Sequence, residues 1–160
     1  MNRLSMRFSQ GSRFAYVIMV VMIVSMPAIV VAGPKEDAHA VIQRWSAAYT
    51  ANDPEAVVKN YRPDAVLLGT VSPLLSEGTE AIRKYFSRLK GTGNKNRIGA
   101  TRTLVLSDNA VLVAGFYEFT RMKDGQPLPG PARFTMLLLK EGDEWLIAHH
   151  HSSPHVQPTK

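Results

Sequence analysis

The sequence predicts an α+β fold: a curved antiparallel sheet forming a cone, with three N-terminal helices packed on one face. Three observations predict it. Two apolar segments with helical spacing precede a short strand and a third helix (residues 36–89), four β-rich segments follow from Arg97, and turn chemistry separates those four. Helices gathered before a run of consecutive strands read as one layer on another, with a cavity between them suited to a small molecule. The opposite sheet face is left free to pair with a second subunit.

The elements follow in order. Ala38, Val41, Ile42, Trp45, Ala48 and Tyr49 recur at helical spacing, so Glu36–Thr50 reads as an amphipathic helix. "NDPEAVVKNY" restarts a helix, with Asn52 or Asp53 as cap, Pro54 in the first turn and Pro63 as the stop. "DAVLLGT" (Asp64–Thr70) is a short strand, and "SEGTEAIRKYFSRL" a third helix capped near Thr79, with Ile82, Tyr85, Phe86 and Leu89 on one face. "RTLVL", "NAVLVAGFYEFTRM", "ARFTMLLLK" and "EWLIAHHHS" are strands, joined by turns at "SDN", "KDGQPLPGP" and "EGD".

Residues 1–32 carry an address. Arg3, Arg7 and Arg13 precede the apolar "FAYVIMVVMIVSMPAIVVA", and Val30, Val31 and Ala32 present small residues for cleavage after Ala32. This is a secretory signal, with an uncleaved anchor as the rival reading, and either implies a periplasmic or secreted protein. The remaining chain, Gly33–Lys160, suits one domain. The three leader arginines supply half of the formal net charge of +6, and no compact basic block with interleaved aromatics exists. Nucleic acid is therefore not an expected partner, and any membrane contact would be through the leader. There is no cysteine, so disulfides, thiolate metal sites and Cys nucleophiles are excluded.

The chemistry-bearing stretch is "HHHSSP". In a regular strand, His149, His151 and Ser153 share one face and His150 and Ser152 the other. Imidazoles two residues apart, about 7 Å along the strand, form a zinc half-site. Catalytic zinc takes three protein ligands, and nothing in the spacing supplies the third. The competing reading is a polar cluster at the sheet edge or at a subunit interface. Thr70, in "LLGTVSP", has turn chemistry around it, and Tyr85 lies on an apolar stripe. Arg133 sits among apolar strand residues, so it faces either solvent or a cavity where it would suit an anion. Trp45 reads as a wall. G-x-S-x-G, phosphate-loop and H-E-x-x-H motifs are absent.

Taken together, "NDPEAVVKNYRPDAVLLGTVS", "IRKYF", "NAVLVAGFYEFT", "ARFTMLLLK" and "EWLIAHHHSSP" resemble the bacterial proteins related to the calcium/calmodulin-dependent protein kinase II association domain. Those proteins lie within the nuclear transport factor 2-like superfamily. With the leader and the "HHHSS" ending, the chain resembles the bacterial iota-class carbonic anhydrases. The resemblance covers about Asp37 to Pro154. It implies a homodimer and a lyase that hydrates CO2 to bicarbonate in the cone. Thr70, Tyr85 and Ser153 would hold the substrate, Ser153 on the condition that His149 and His151 also face inward, and His149 or His151 would take the proton from water. Arg133 and Trp45 would be substrate-binding. The resemblance leaves the cofactor open: none, or zinc or manganese on His149 and His151. Two alternatives stand: a ligand-binding or oligomerisation module without chemistry, as in the kinase hubs, and an isomerase or cyclase, which would want a pocket carboxylate.

Overall fold

The computed structural model describes residues 33–155, so the predicted leader and the last five residues lie outside the described part. The elements are α1 (Pro34–Thr50), α2 (Pro54–Val58), β1 (Tyr61–Leu68), β2 (Leu75–Glu77), α3 (Gly78–Ser87), β3 (Lys95–Ser107), β4 (Ala110–Lys123), β5 (Gln126–Glu141) and β6 (Glu144–Pro154). The six strands form one sheet in the order β2-β1-β6-β5-β4-β3. All neighbours run antiparallel except β1 and β6, which are parallel. The α+β class holds, but the helices do not all precede the sheet, because β1 and β2 lie between α2 and α3.

Local chemistry explains the helical corner. Pro54 opens α2, and Asp53 Oδ1 accepts the Ala56 N–H at 3.0 Å, satisfying one donor of the first turn. Asn52 takes a left-handed φ of 58°, which asparagine tolerates well. Its amide donates to Asn94 O at 2.7 Å, tying the corner to the loop before β3. Pro63 does not stop α2; it lies inside β1. The helix ends earlier because the Asn60 amide bonds back to Ala56 O, while Asn60 O accepts the Ile147 N–H at 2.8 Å and draws the chain into the sheet. Thr79 likewise is not the cap of α3: Glu77 holds that position, with no side-chain cap bond.

"QPLPGP", expected as part of a turn, is the start of β5. Its three prolines alternate, so their backbone positions share one side of the strand. Pro131 O accepts the His155 N–H at 2.9 Å, which places that side away from β4. The missing proline donors therefore cost no bond to β4, and β6 reaches only as far as Ala132. The turn itself is Asp124-Gly125, both with positive φ (51° and 74°).

The core fills the space between helices and sheet. Val41, Ile42 and Trp45 of α1, with Ile82 and Phe86 of α3, pack on Val111, Val113 and Tyr117 of β4 and on Phe134, Met136 and Leu138 of β5. A register shift between Ile98 and Thr101 bends β3 against β4. There Gly115 lets the two backbones approach: a Cβ on it would sit 2.6 Å from Ala100 O and 2.8 Å from Thr101 Cγ2. Gly115→Ala is expected to destabilise the fold by about 1–3 kcal/mol, the usual cost of overpacking. Chemical denaturation would measure it, and an unchanged midpoint would contradict the close approach.

Candidate active site

The inward residues of "HHHSS" are His150 and Ser152, both buried (1% and 5% exposed). His149, His151 and Ser153 face the other side of the sheet, opposite to the expected arrangement. The cause is a bulge in β6. Trp145 and Ile147 point into the core, but the pairing moves from Leu138↔Ile147 to Leu137↔His149, so β6 advances two residues while β5 advances one. Ala148 is the extra residue, and from there the inward parity changes from odd to even numbers.

Arg133 stays with the outward set. It pairs with Ser153 across β5 and β6, and its Nε donates to Ser153 Oγ at 3.0 Å. Both line a groove of 670 Å³ on the outer face, together with His151. Arg133 is therefore placed on a surface, outside the cone. Trp45, expected as a wall, packs in the core, stacked on Tyr117 with ring centroids 6.0 Å apart and almost fully buried.

A line of hydrogen bonds runs through this interior. Trp45 Nε1 donates to the Tyr61 hydroxyl at 2.9 Å, and that hydroxyl meets His150 Nδ1 at 2.7 Å. His150 Nε2 lies 3.3 Å from the Tyr117 hydroxyl. Tyr117 in turn donates to Ser152 Oγ, which contacts Thr70 Oγ1. An indole N–H can only donate, so the Tyr61 oxygen accepts from Trp45. Since Tyr117 spends its proton on Ser152, its oxygen accepts from His150 Nε2, and the neutral ring then accepts the Tyr61 proton at Nδ1. In the last contact either the Ser152 or the Thr70 hydroxyl can be the donor.

Burial keeps this chain neutral. Desolvation first, then His149 and His151, pushes the His150 pKa down from 6.5 to about 3. Desolvation likewise raises the phenols of Tyr61 and Tyr117 well above their ordinary range. His150 is thus a donor and acceptor that orients its neighbours; it is not a base at neutral pH.

Thr70 opens into a cavity of 260 Å³ between α3, the end of β1 and the strands β4 and β5, lined also by Tyr49, Tyr85, Phe86 and Phe119. Gly69 is required here: a Cβ on it would fall 2.3 Å from the Tyr85 ring. The Tyr85 pKa is raised, chiefly by burial, against the effects of Arg88 and of backbone hydrogen bonds from Val71 and Thr70. Thr70, Tyr85 and one serine of the "HHHSS" run do meet, but the serine is Ser152. Tyr61, Tyr117 and His150 were missed as partners. Tyr61 was read as the end of the second helix and Tyr117 only as a strand aromatic, and no sequence signal locates the bulge that selects His150.

The donors do not fit a metal. His149 and His151 lie outside the cone, and among the described residues no group of three His, Asp or Glu side chains comes together. A catalytic zinc uses three protein ligands.

The sequence matches the SnoaL-like domain over residues 38–157, and the chain belongs to that family. Among solved structures, a Xanthomonas campestris protein assigned to the calcium/calmodulin-dependent protein kinase II association domain is similar at 32% identity and a TM-score of 0.72. That match covers 80% of this chain and 95% of the other. A Novosphingobium aromaticivorans NTF2-like protein with a cystatin-like fold matches at 13% identity and TM-score 0.65, covering 75% and 80% of the two chains. A ketosteroid isomerase-like protein from Erwinia carotovora atroseptica matches at 21% identity and TM-score 0.65, covering 78% and 99%. The last two share the fold. A search of curated proteins found no match.

The buried imidazole makes stability pH-dependent. Its folded pKa lies below the unfolded value, so the unfolded chain binds the extra proton between pH 6.5 and about 3. The contribution is complete above pH 6.5 and is lost on acidification, by up to about 1.4 kcal/mol per pH unit. Denaturant titrations from pH 7 to 4.5 should show this slope, and His150→Gln should flatten it. Equal slopes in both proteins would show that His150 is protonated when folded.

Proposed function

We propose that this SnoaL-like domain is a carbonic anhydrase that hydrates CO2 in the Thr70 cavity. The observation that carries the reading is the buried hydroxyl line that ends on Thr70, with Tyr85 beside it. In CO2 + OH− → HCO3−, charge develops on the two oxygens of CO2. A preset O–H aimed at one of them stabilises that charge without reorganising. In this reading Ser152 donates to Thr70 and so turns the Thr70 O–H toward the substrate, Tyr117 holds Ser152, and Tyr85 forms the wall that positions the substrate.

Among the described residues, no Asp, Glu or His lines the cavity. That argues against the isomerase and cyclase reading, whose proton abstraction calls for a carboxylate base. It also replaces the His149 or His151 base with hydroxide from solvent. The rate should therefore climb with pH without an inflection between pH 6 and 8, and a plateau set by a group near pH 7 would contradict this mechanism. We further propose that the chain is exported and that two copies pair through the outer sheet face, where Leu104, Leu106 and Phe116 are exposed.

Stopped-flow CO2 hydration, before and after chelation, tests the activity; turnover is expected in both. Thr70→Val and Ser152→Ala should each lower kcat/KM by roughly 100-fold, the usual cost of removing one preorganised donor. Ser153→Ala should leave it unchanged. Absence of turnover even with zinc or manganese added would leave a binding module as the better account.

A further inference from the structure

The cavity is more aromatic and more spacious than a three-atom substrate requires. Its 260 Å³ approaches the lower end, about 300 Å³, of sites that hold small organic ligands. Tyr49, Tyr85, Phe86 and Phe119 give it flat apolar walls, and Arg88 and Arg121 also line it. The Arg88 guanidinium carbon lies 4.5 Å from the centre of the Tyr85 ring, and its Nε donates to Tyr85 O at 3.0 Å. Packing thus holds the fork in place, while its two terminal nitrogens have no hydrogen-bond partner among the described residues.

Both arginines line the same cavity as Tyr49, and each lowers the Tyr49 phenol pKa against the larger rise from burial. Arg62, Arg83 and Arg97 all have carboxylate partners. Among the described residues, no carboxylate pairs with Arg88 or Arg121, and no Asp or Glu lines the cavity. Two guanidinium groups beside an aromatic slot match a planar oxyanion carried on a planar ring. A bare inorganic anion would leave the aromatic walls wet, and a neutral ring would leave the cations without a counter-charge.

We propose that this cavity binds an aromatic monocarboxylate, with the carboxylate on Arg88 and Arg121 and the ring between the Tyr49, Tyr85 and Phe119 side chains. Such a ligand would exclude CO2 from Thr70 and act as a competitive inhibitor. The inhibition rests on the carbonic anhydrase reading, but the binding does not.

Calorimetric titration of the purified protein with benzoate and with benzamide separates the two claims. Benzoate should bind one per chain and benzamide about tenfold more weakly or worse, because only benzoate offers the forks an anion. Arg88→Gln and Arg121→Gln, both at exposed positions, should each weaken benzoate about tenfold and leave benzamide unaffected. Equal binding of the two compounds, benzoate affinity that survives both substitutions, or no heat up to about 10 mM, weaker than the usual range of specific ligands, would overturn the proposal. Benzoate binding without CO2 turnover supports this inference and sinks only the anhydrase reading. Turnover without benzoate binding sinks only this inference.

Discussion

The site depends on one constraint: an imidazole buried between two tyrosine hydroxyls and kept neutral. Charging His150 in that environment would cost several kcal/mol of desolvation, with no carboxylate nearby to offset it. Neutral, the ring accepts at one nitrogen and donates at the other, which suits a position between Tyr61 and Tyr117. Trp45 anchors one end of the line and Thr70 closes the other. Helix α1, strand β1 and strands β4 and β6 are thereby joined through side chains as well as by packing. A buried network of this kind is stabilising only when every member is satisfied, and here each hydroxyl and ring nitrogen has a partner.

The sheet delivers that imidazole through an irregularity. Without the extra residue Ala148, Trp145 and Ile147 inside would imply His149, His151 and Ser153 inside. The bulge reverses this, placing His150 and Ser152 under the helices. It also leaves a basic, partly polar set on the outer face, where Ser153 holds Arg133. One run of five residues thus serves two surfaces. The outward imidazoles still act at a distance, since both oppose a charge on His150.

The cavity follows from the same architecture. Gly69 admits the Tyr85 ring at the end of β1, and the ring carries the Arg88 guanidinium on its face. Hydroxyls at one side and cations at another make a space that favours developing or full negative charge. Similar folds carry ketosteroid isomerase-like and kinase-association assignments, so the fold alone does not specify chemistry.

The sequence by itself determined the layer architecture, the four long strands and the first two helices, because apolar periodicity and turn chemistry are local properties; it narrowed the α2 cap to Asn52 or Asp53. Thr70 and Tyr85 could be singled out through resemblance, and the cavity brings them together. Boundaries set by competition were not legible: α2 yields to the sheet at Asn60, and the prolines of β5 are tolerated because their side carries no β4 bond. The face of each histidine was not legible either. It turns on the single residue Ala148, whose extra place in the ladder exists only against β5. Only the tertiary structure decided that His150 and Ser152 would be buried with Tyr61 and Tyr117, since those partners come from three strands and meet only when the sheet closes over the helices.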